Sequence, residues 1–218
     1  YSQPYFPIAV AAAQSPSGMV AAGKHGLGVL SVSVPRGESV SSDLGAFWKI
    51  AEDTAEQYGQ TVSRSEWRVV LHVHLAESKK DAFDQVREKS AAYQYDYFHQ
   101  TMGQPFDYDG PREKIVDHMV KNGTWCVGTP DDLIEKINEL SEQSGGFGGF
   151  MIQATEWGTR EQVMHSYELI ARYVMPHFQG SLSSLQKSQK WSFEHRNHLQ
   201  ELKTVSLTKA TESYNSNR

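Results

Sequence analysis

Six consecutive residues, Gln14-Ser15-Pro16-Ser17-Gly18-Met19, set two hydroxyls and a glycine between an apolar run and a helical stretch. Ser15 suits an N-cap, Pro16 presets the first helical φ, and Gly18 lets a ligand approach the backbone. The free amides of Ser17, Gly18 and Met19 would point out of the carboxyl end of the preceding strand. Helix N-terminal N–H groups beside serine hydroxyls bind phosphate in this way. A plain capped connection needs the same residue types, so the turn alone leaves both readings open.

A second group lies in Arg68-Val69-Val70-Leu71-His72-Val73-His74. Strand alternation sends Arg68, Val70, His72 and His74 to one face and Val69, Leu71, Val73 and Leu75 to the other. The aliphatic face must meet helices, which leaves His74 on the polar face near the strand's carboxyl end. Two histidines at i, i+2 have the spacing of metal ligands, but no Asp, Glu or Cys beside them completes a set. His74 therefore reads either as a satisfied buried histidine or as a residue lining a site.

Ala154-Thr155-Glu156-Trp157-Gly158 follows the last strand-like run. Trp157 could cover a planar ring there, or pack over the rim of the fold. Cys126 has no basic residue or histidine near it in sequence and makes a poor nucleophile. Tyr93, Tyr95, Tyr97 and Phe98 recur along a helical stretch and read as core, while Asp107, Asp109 and Glu113 sit in a polar excursion and read as solvated.

Four strand-like runs must position these groups: Ile8–Ala13, Val29–Val34 ended by Pro35, Trp67–Ala76 and Phe147–Ala154. The first is a run of small apolar residues, as for a strand buried on both faces. Helical periods fall between the runs. One spans 41–58 and is stopped by Gly59, and one spans 81–102 behind Ser78. A short piece near 112–121 interrupts an excursion over 103–127 without strand alternation. Thr129-Pro130-Asp131-Asp132 opens a helix to about Ser144 through an N-cap, a proline at N1 and two carboxylates at the positive end. A last helix runs from Arg160 to about Val174. Strand–helix units repeated four times imply a parallel sheet with right-handed crossovers. The candidates are an open doubly wound sheet and a (β/α)8 barrel of which these units form about half.

The 218 residues include 9 Phe, 10 Tyr and 5 Trp, which supply a packable interior and exclude overall disorder. No apolar run approaches the roughly 20 residues of a membrane span. The net charge of −5 is uneven: residues 1–180 hold 15 basic and 23 acidic groups, residues 181–218 hold 6 and 3. The acidic body argues against nucleic acid as a partner. The expected organisation is a domain over 1–180 and a basic helical or frayed tail over 181–218. A single cysteine allows no intramolecular disulfide, so a reducing cytoplasm is the expected compartment. The start, Tyr-Ser-Gln-Pro, has neither an initiator Met nor the basic n-region of a signal peptide, so the chain is expected to begin inside a longer one.

An ordered set of segments resembles the C-terminal half of the bacterial-luciferase-like, flavin-dependent monooxygenases. IAVAAAQSPSGMVAAGKHGLGVLS (8–31) resembles that family's fifth strand, flavin-phosphate turn and following helix, and WRVVLHVHLAESKKDA (67–82) its seventh strand. VGTPDDLIEKI (127–137), GGFGGFMI (145–152) and SYELIARYVMPHF (166–178) resemble its closing elements. The resemblance covers about residues 5–180. It implies a (β/α)8 barrel, with this chain supplying roughly the last four βα units.

The resemblance further implies reduced FMN as co-substrate, often delivered by a separate reductase, with O2 and an apolar organic substrate. Ser15 falls where the family has a serine on the flavin phosphate, Gln14 takes the place of a commonly acidic or polar residue, and Gly18 and Met19 would donate N–H groups. His74 and Trp157 would face the flavin ring or substrate, and Phe106 and Tyr108 would belong to a closing segment within 103–126. The reactive side chains of the family come largely from its first four strands, so no catalytic residue is assigned. Two other readings share these residues: a non-catalytic flavin-binding or partner subunit, and a reductase using coenzyme F420. A half barrel also implies pairing with the missing half or dimerisation, because its strand edges are open.

Overall fold

The computed structural model describes residues 6–13, 15–32, 43–181 and 183–216. Gln14, the expected strand end at Ser33–Val34 with Pro35, and the first residues of the helix expected from 41 lie outside the described residues. The chain divides into two compact units, Tyr1–Val174 and Met175–Arg218.

The first unit holds a five-stranded, wholly parallel sheet. Its strands are β1 (Ala9–Ala12), β2 (Gly28–Val32), β3 (Trp67–Leu75), β4 (Trp125–Gly128) and β5 (Gly149–Gln153). β3 is the spine. Its Trp67–Val70 segment pairs with β2, Arg68–His72 with β5, and His72–Leu75 with β4. β1 pairs with β2. The four expected runs thus lie side by side as β1-β2-β3-β5, and β4 is an addition to them. The excursion was expected to hold no strand. Trp125-Cys126-Val127-Gly128 nevertheless form one, because all four residues are buried and the upper half of β3 offers an edge beyond the reach of β2.

β1 also departs from expectation. Only Ala12 is buried, Val10 is half-buried, and Ala9 and Ala11 are exposed. The strand is paired through β2 alone, at one end of the described sheet.

The helices of this unit are α1 (Ser17–His25), α2 (Leu44–Gln57), α3 (Lys79–Ala91), α4 (Ile115–Lys121), α5 (Pro130–Ser144) and α6 (Arg160–Leu169). β3 follows the alternation read from its sequence. Trp67 and Val69 enter a core with Met19, Ala22, Phe47 and Trp48 from α1 and α2, while Leu71, Val73 and Leu75 pack with Leu133 and Ile137 of α5. A third core gathers Ala82 and Val86 of α3, Ile115 and Val116 of α4, and Trp125 and Trp157. α5 begins with a full capping box between Thr129 and Asp132 and ends at Gly145 in the left-handed region, as its sequence punctuation predicts. Beyond Ala91 and Leu169 the chain continues as π-helical segments, Ala92–Thr101 and Ile170–Val174.

The second unit consists of the short α7 (Met175–Phe178), then α8 (Ser183–Glu194) and α9 (Arg196–Ser216). The described residues of the tail are helical apart from turns at Ser181 and His195.

Candidate functional site

Because every strand of the sheet is parallel, the turn after β1 and the segments after β3 and β5 leave from the same carboxyl-terminal side. This is the side on which parallel α/β folds and barrels place their sites.

At the first of these places, α1 starts at Ser17, with Pro16 as the N-cap in right-handed helical geometry and no side chain capping it. The sequence reading gave Ser15 the capping role. Its Oγ instead lies 2.7 Å from Ser17 Oγ, so the two hydroxyls pair with each other above the helix end. The amides of Ser17, Gly18 and Met19 occupy the first turn, whose N–H groups find no intrahelical acceptor. No acidic residue stands in that turn. Unfilled amide donors, hydroxyls and a positive helix end are the groups with which helix N-termini hold phosphate dianions.

Gly18 also has a packing duty that the sequence reading did not give it. A Cβ there would sit 2.6 Å from the Ala11 carbonyl oxygen and 2.8 Å from Ala12 Cβ. Its smallness lets α1 lie directly on β1, while Met19 drives a fully buried side chain into the core. Both residues thereby fix where their amides stand.

The second place is an aromatic box at the carboxyl ends of β3 and β5. His72 stacks on Trp157 with 5.3 Å between ring centroids and 4° between planes, and Trp125 meets Trp157 at 4.3 Å. Tyr93 approaches Trp157 edge-on at 5.5 Å. Its hydroxyl is 3.0 Å from His72 Nε2 and accepts from Gln153 Nε2 at 3.3 Å. Trp157 is only 3% exposed. A cleft of about 480 Å³ opens beside it, walled by Lys89, Tyr93, Tyr97, Thr155 and Glu156. Lys89 Nζ donates to the Gly158 carbonyl at 3.0 Å, which ties α3 to the segment after β5.

His74, read either as a satisfied buried histidine or as a residue lining a site, is buried, and its Nε2 is 2.8 Å from Gln85 Oε1. Burial holds its imidazole below the ordinary histidine range, against the opposing bond to Gln85. The histidine that meets Trp157 is His72. The alternation placed it on the same face of β3, which was the available signal. Tyr93 gave less, since aromatic residues along a helix have the same spacing whether they pack a core or line a cleft.

Phe106 and Tyr108 gather around His118 of α4, at 5.9 Å and 4.7 Å between ring centroids. They pack against the third core. Cys126 is buried, and burial pushes its thiol up to about 12, which removes it as a nucleophile. Among the described residues no cluster of three His, Cys, Asp or Glu side chains could hold a metal, and no helix is long and apolar enough to cross a membrane.

No protein-family model matches the chain. It is 35% identical over 189 residues to 4-hydroxyprotoasukamycin monooxygenase of Streptomyces nodosus subsp. asukaensis, covering 86% of this chain and 51% of that protein. It is 38% identical over 174 residues to limonene 1,2-monooxygenase of Rhodococcus erythropolis, covering 80% and 44%. The chain thus spans about half the length of the curated relatives it matches. Among solved structures, it superposes on the oxygenating constituent of 3,6-diketocamphane monooxygenase from Pseudomonas putida, in complex with FMN. The TM-score is 0.59 at 26% identity, over 78% of this chain and 48% of that one. The coenzyme F420-dependent tetrahydromethanopterin reductase of Methanopyrus kandleri shares the fold, at a TM-score of 0.51 and 20% identity over 79% of this chain and 51% of that one.

Proposed function

We propose that this chain belongs to the luciferase-like flavin-dependent monooxygenases and supplies the C-terminal half of such an enzyme's (β/α)8 barrel, including the grip on the phosphate of FMN. The observation that carries the reading is the start of α1. Two paired serine hydroxyls stand over an uncapped helix end with no acidic residue in its first turn. Those donors suit a phosphate dianion, so the residues present fit the group. Ser15 and Ser17 would hold it through their hydroxyls, and Ser17, Gly18 and Met19 through their amides, with Gln14 next to them in the sequence. The likeness to an FMN-bound monooxygenase favours FMN over F420 as the flavin.

When bound, reduced FMN supplies the O2-activating chemistry. The residues of this chain bind, orient and exclude water. The helix end and serines fix the phosphate. Of the aromatic box, Tyr93 and Trp157 border the adjoining cleft, which would receive an apolar organic substrate. A flavin reductase as partner and closure of the barrel by its other half belong to the same reading, which keeps the cytoplasm as the compartment.

The test is a titration of the complete gene product with FMN, followed by O2 consumption in the presence of a flavin reductase. Quenching of flavin fluorescence together with reductase-dependent oxygen uptake is the expected result. No spectral change and no quenching would overturn the proposal.

A further inference from the structure

α8 and α9 bury none of their residues. Helices in proteins draw most of their stability from packing an apolar face, and on these two that face is open. Leu185, Trp191, Leu199, Leu202, Val205 and Leu207 are 38% to 66% exposed. Together they present on the order of 600 Å², where each partner in a specific interface gives up roughly 800 Å². At about 100° per residue, the four apolar residues of α9 share one side with Arg196, Lys203 and Lys209, while Glu201 and Glu212 fall on the other. On that other side Thr204, Thr208 and Thr211 donate to carbonyls four residues earlier, so it calls for no partner. The ion pairs of the two helices use Lys190 and His198 and leave Arg196 and Lys203 outside any, among the described residues.

We propose that this apolar, basic side of the tail docks on a second copy of the chain, across the exposed faces of α5 and α6. Charge complementarity selects that occupant. Residues 1–180 hold 23 acidic against 15 basic groups, and residues 181–218 hold 3 against 6. On α5, Glu135 and Glu142 are exposed, and the ion pairs of that helix use Asp132 and Glu139 instead. Glu135 and Glu142 are seven residues apart, as are Arg196 and Lys203, so each pair spans about 10 Å along one helix face. α6 packs beside α5, its Leu169 against Leu133 and Ile137, and it exposes Met164 to 54% and Tyr167 to 38%. These two side chains meet the apolar part of the tail. The acidity of residues 1–180 repels an anionic bilayer, the other surface that an apolar, basic helix suits. Exchanged reciprocally, the contact closes a two-fold dimer.

The test is sedimentation equilibrium on the complete gene product. The unmodified protein should self-associate, and more weakly as ionic strength rises from about 0.1 M to about 1 M, because exposed charge pairs are screened. Arg196→Glu with Lys203→Glu, and separately Glu135→Lys with Glu142→Lys, should each weaken association at least about tenfold, since each sets like charges face to face. An equimolar mixture of the two variants should regain the wild-type affinity, because each tail then meets the opposite charge on the other copy. Docking of the tail within its own chain gives no such rescue. The salt response needs no variant and stands if either fails to fold. A protein monomeric to about 100 μM, association insensitive to salt and to both variants, or a mixture no tighter than its components would overturn the proposal. So would a monomer that binds phosphatidylserine vesicles through Arg196 and Lys203.

Discussion

Gly18 and His74 show how a residue type legible in the sequence can carry an unexpected duty. Gly18 was read as letting a ligand approach the backbone, and His74 as either a satisfied buried histidine or a residue lining a site. Gly18 faces β1, and His74 is closed in against Gln85. Spacing along the chain gives the face on which a residue lies, not what covers that face. Gly18→Ala should therefore cost about 1–3 kcal/mol of stability as α1 is pushed off β1, read as a lower denaturation midpoint. An unchanged midpoint would mean that the helix can yield there at no cost.

His74 makes a prediction in pH. Its native value is depressed by burial, so on acidification the unfolded chain takes up a proton near pH 6.5 that the folded protein refuses. Stability then falls as pH drops through about 6.5 toward the depressed native value. His165 has the opposite sign. Its bond to Glu77 raises its value, so the stability it contributes is full in acid and is lost as pH rises through that raised value. Exposure keeps that contribution small. His74→Gln should accordingly lessen the fall in Tm between pH 7 and 5, and an identical fall would remove His74 as its source.

Elements with strong end signals were legible almost to the residue. α5 runs over Pro130–Ser144 because Thr129, Pro130 and Asp132 start it and Gly145 stops it. Asp132 also pairs with Lys79 of α3 at 2.6 Å. Burial works against its charge, but Lys79 and Thr129 outweigh that and hold its carboxyl below the usual range. Thr129→Ala removes one side of the box and should lower stability by about 1 kcal/mol. Thr129→Ser, which keeps the hydroxyl, should restore most of the loss in the same chemical-denaturation measurement. Two elements were hidden. The four residues of β4 are too few to show alternation, and they pair only because β3 outruns β2. The π-helical turn of Ala92–Thr101 leaves no mark in the pattern of aromatic residues, although it brings Tyr93 and Tyr97 to the cleft.

For the molecule as a whole, the alternation of strands and helices was enough to read a parallel sheet, and the order of β1, β2, β3 and β5 agrees with it. The chain carries an uncapped helix start and an aromatic box on one side of that sheet, and it spans about half of its curated relatives. The central claim is that the start of α1 grips the flavin by its phosphate. The direct measurement compares FMN with riboflavin, which lacks the phosphate, on the complete gene product and on its Ser15→Ala variant. FMN should bind at least about tenfold more tightly than riboflavin, and Ser15→Ala should weaken FMN by about 1–2 kcal/mol while leaving riboflavin unchanged. Equal affinities for the two flavins, or a Ser15→Ala protein that still holds FMN as tightly, would contradict the account.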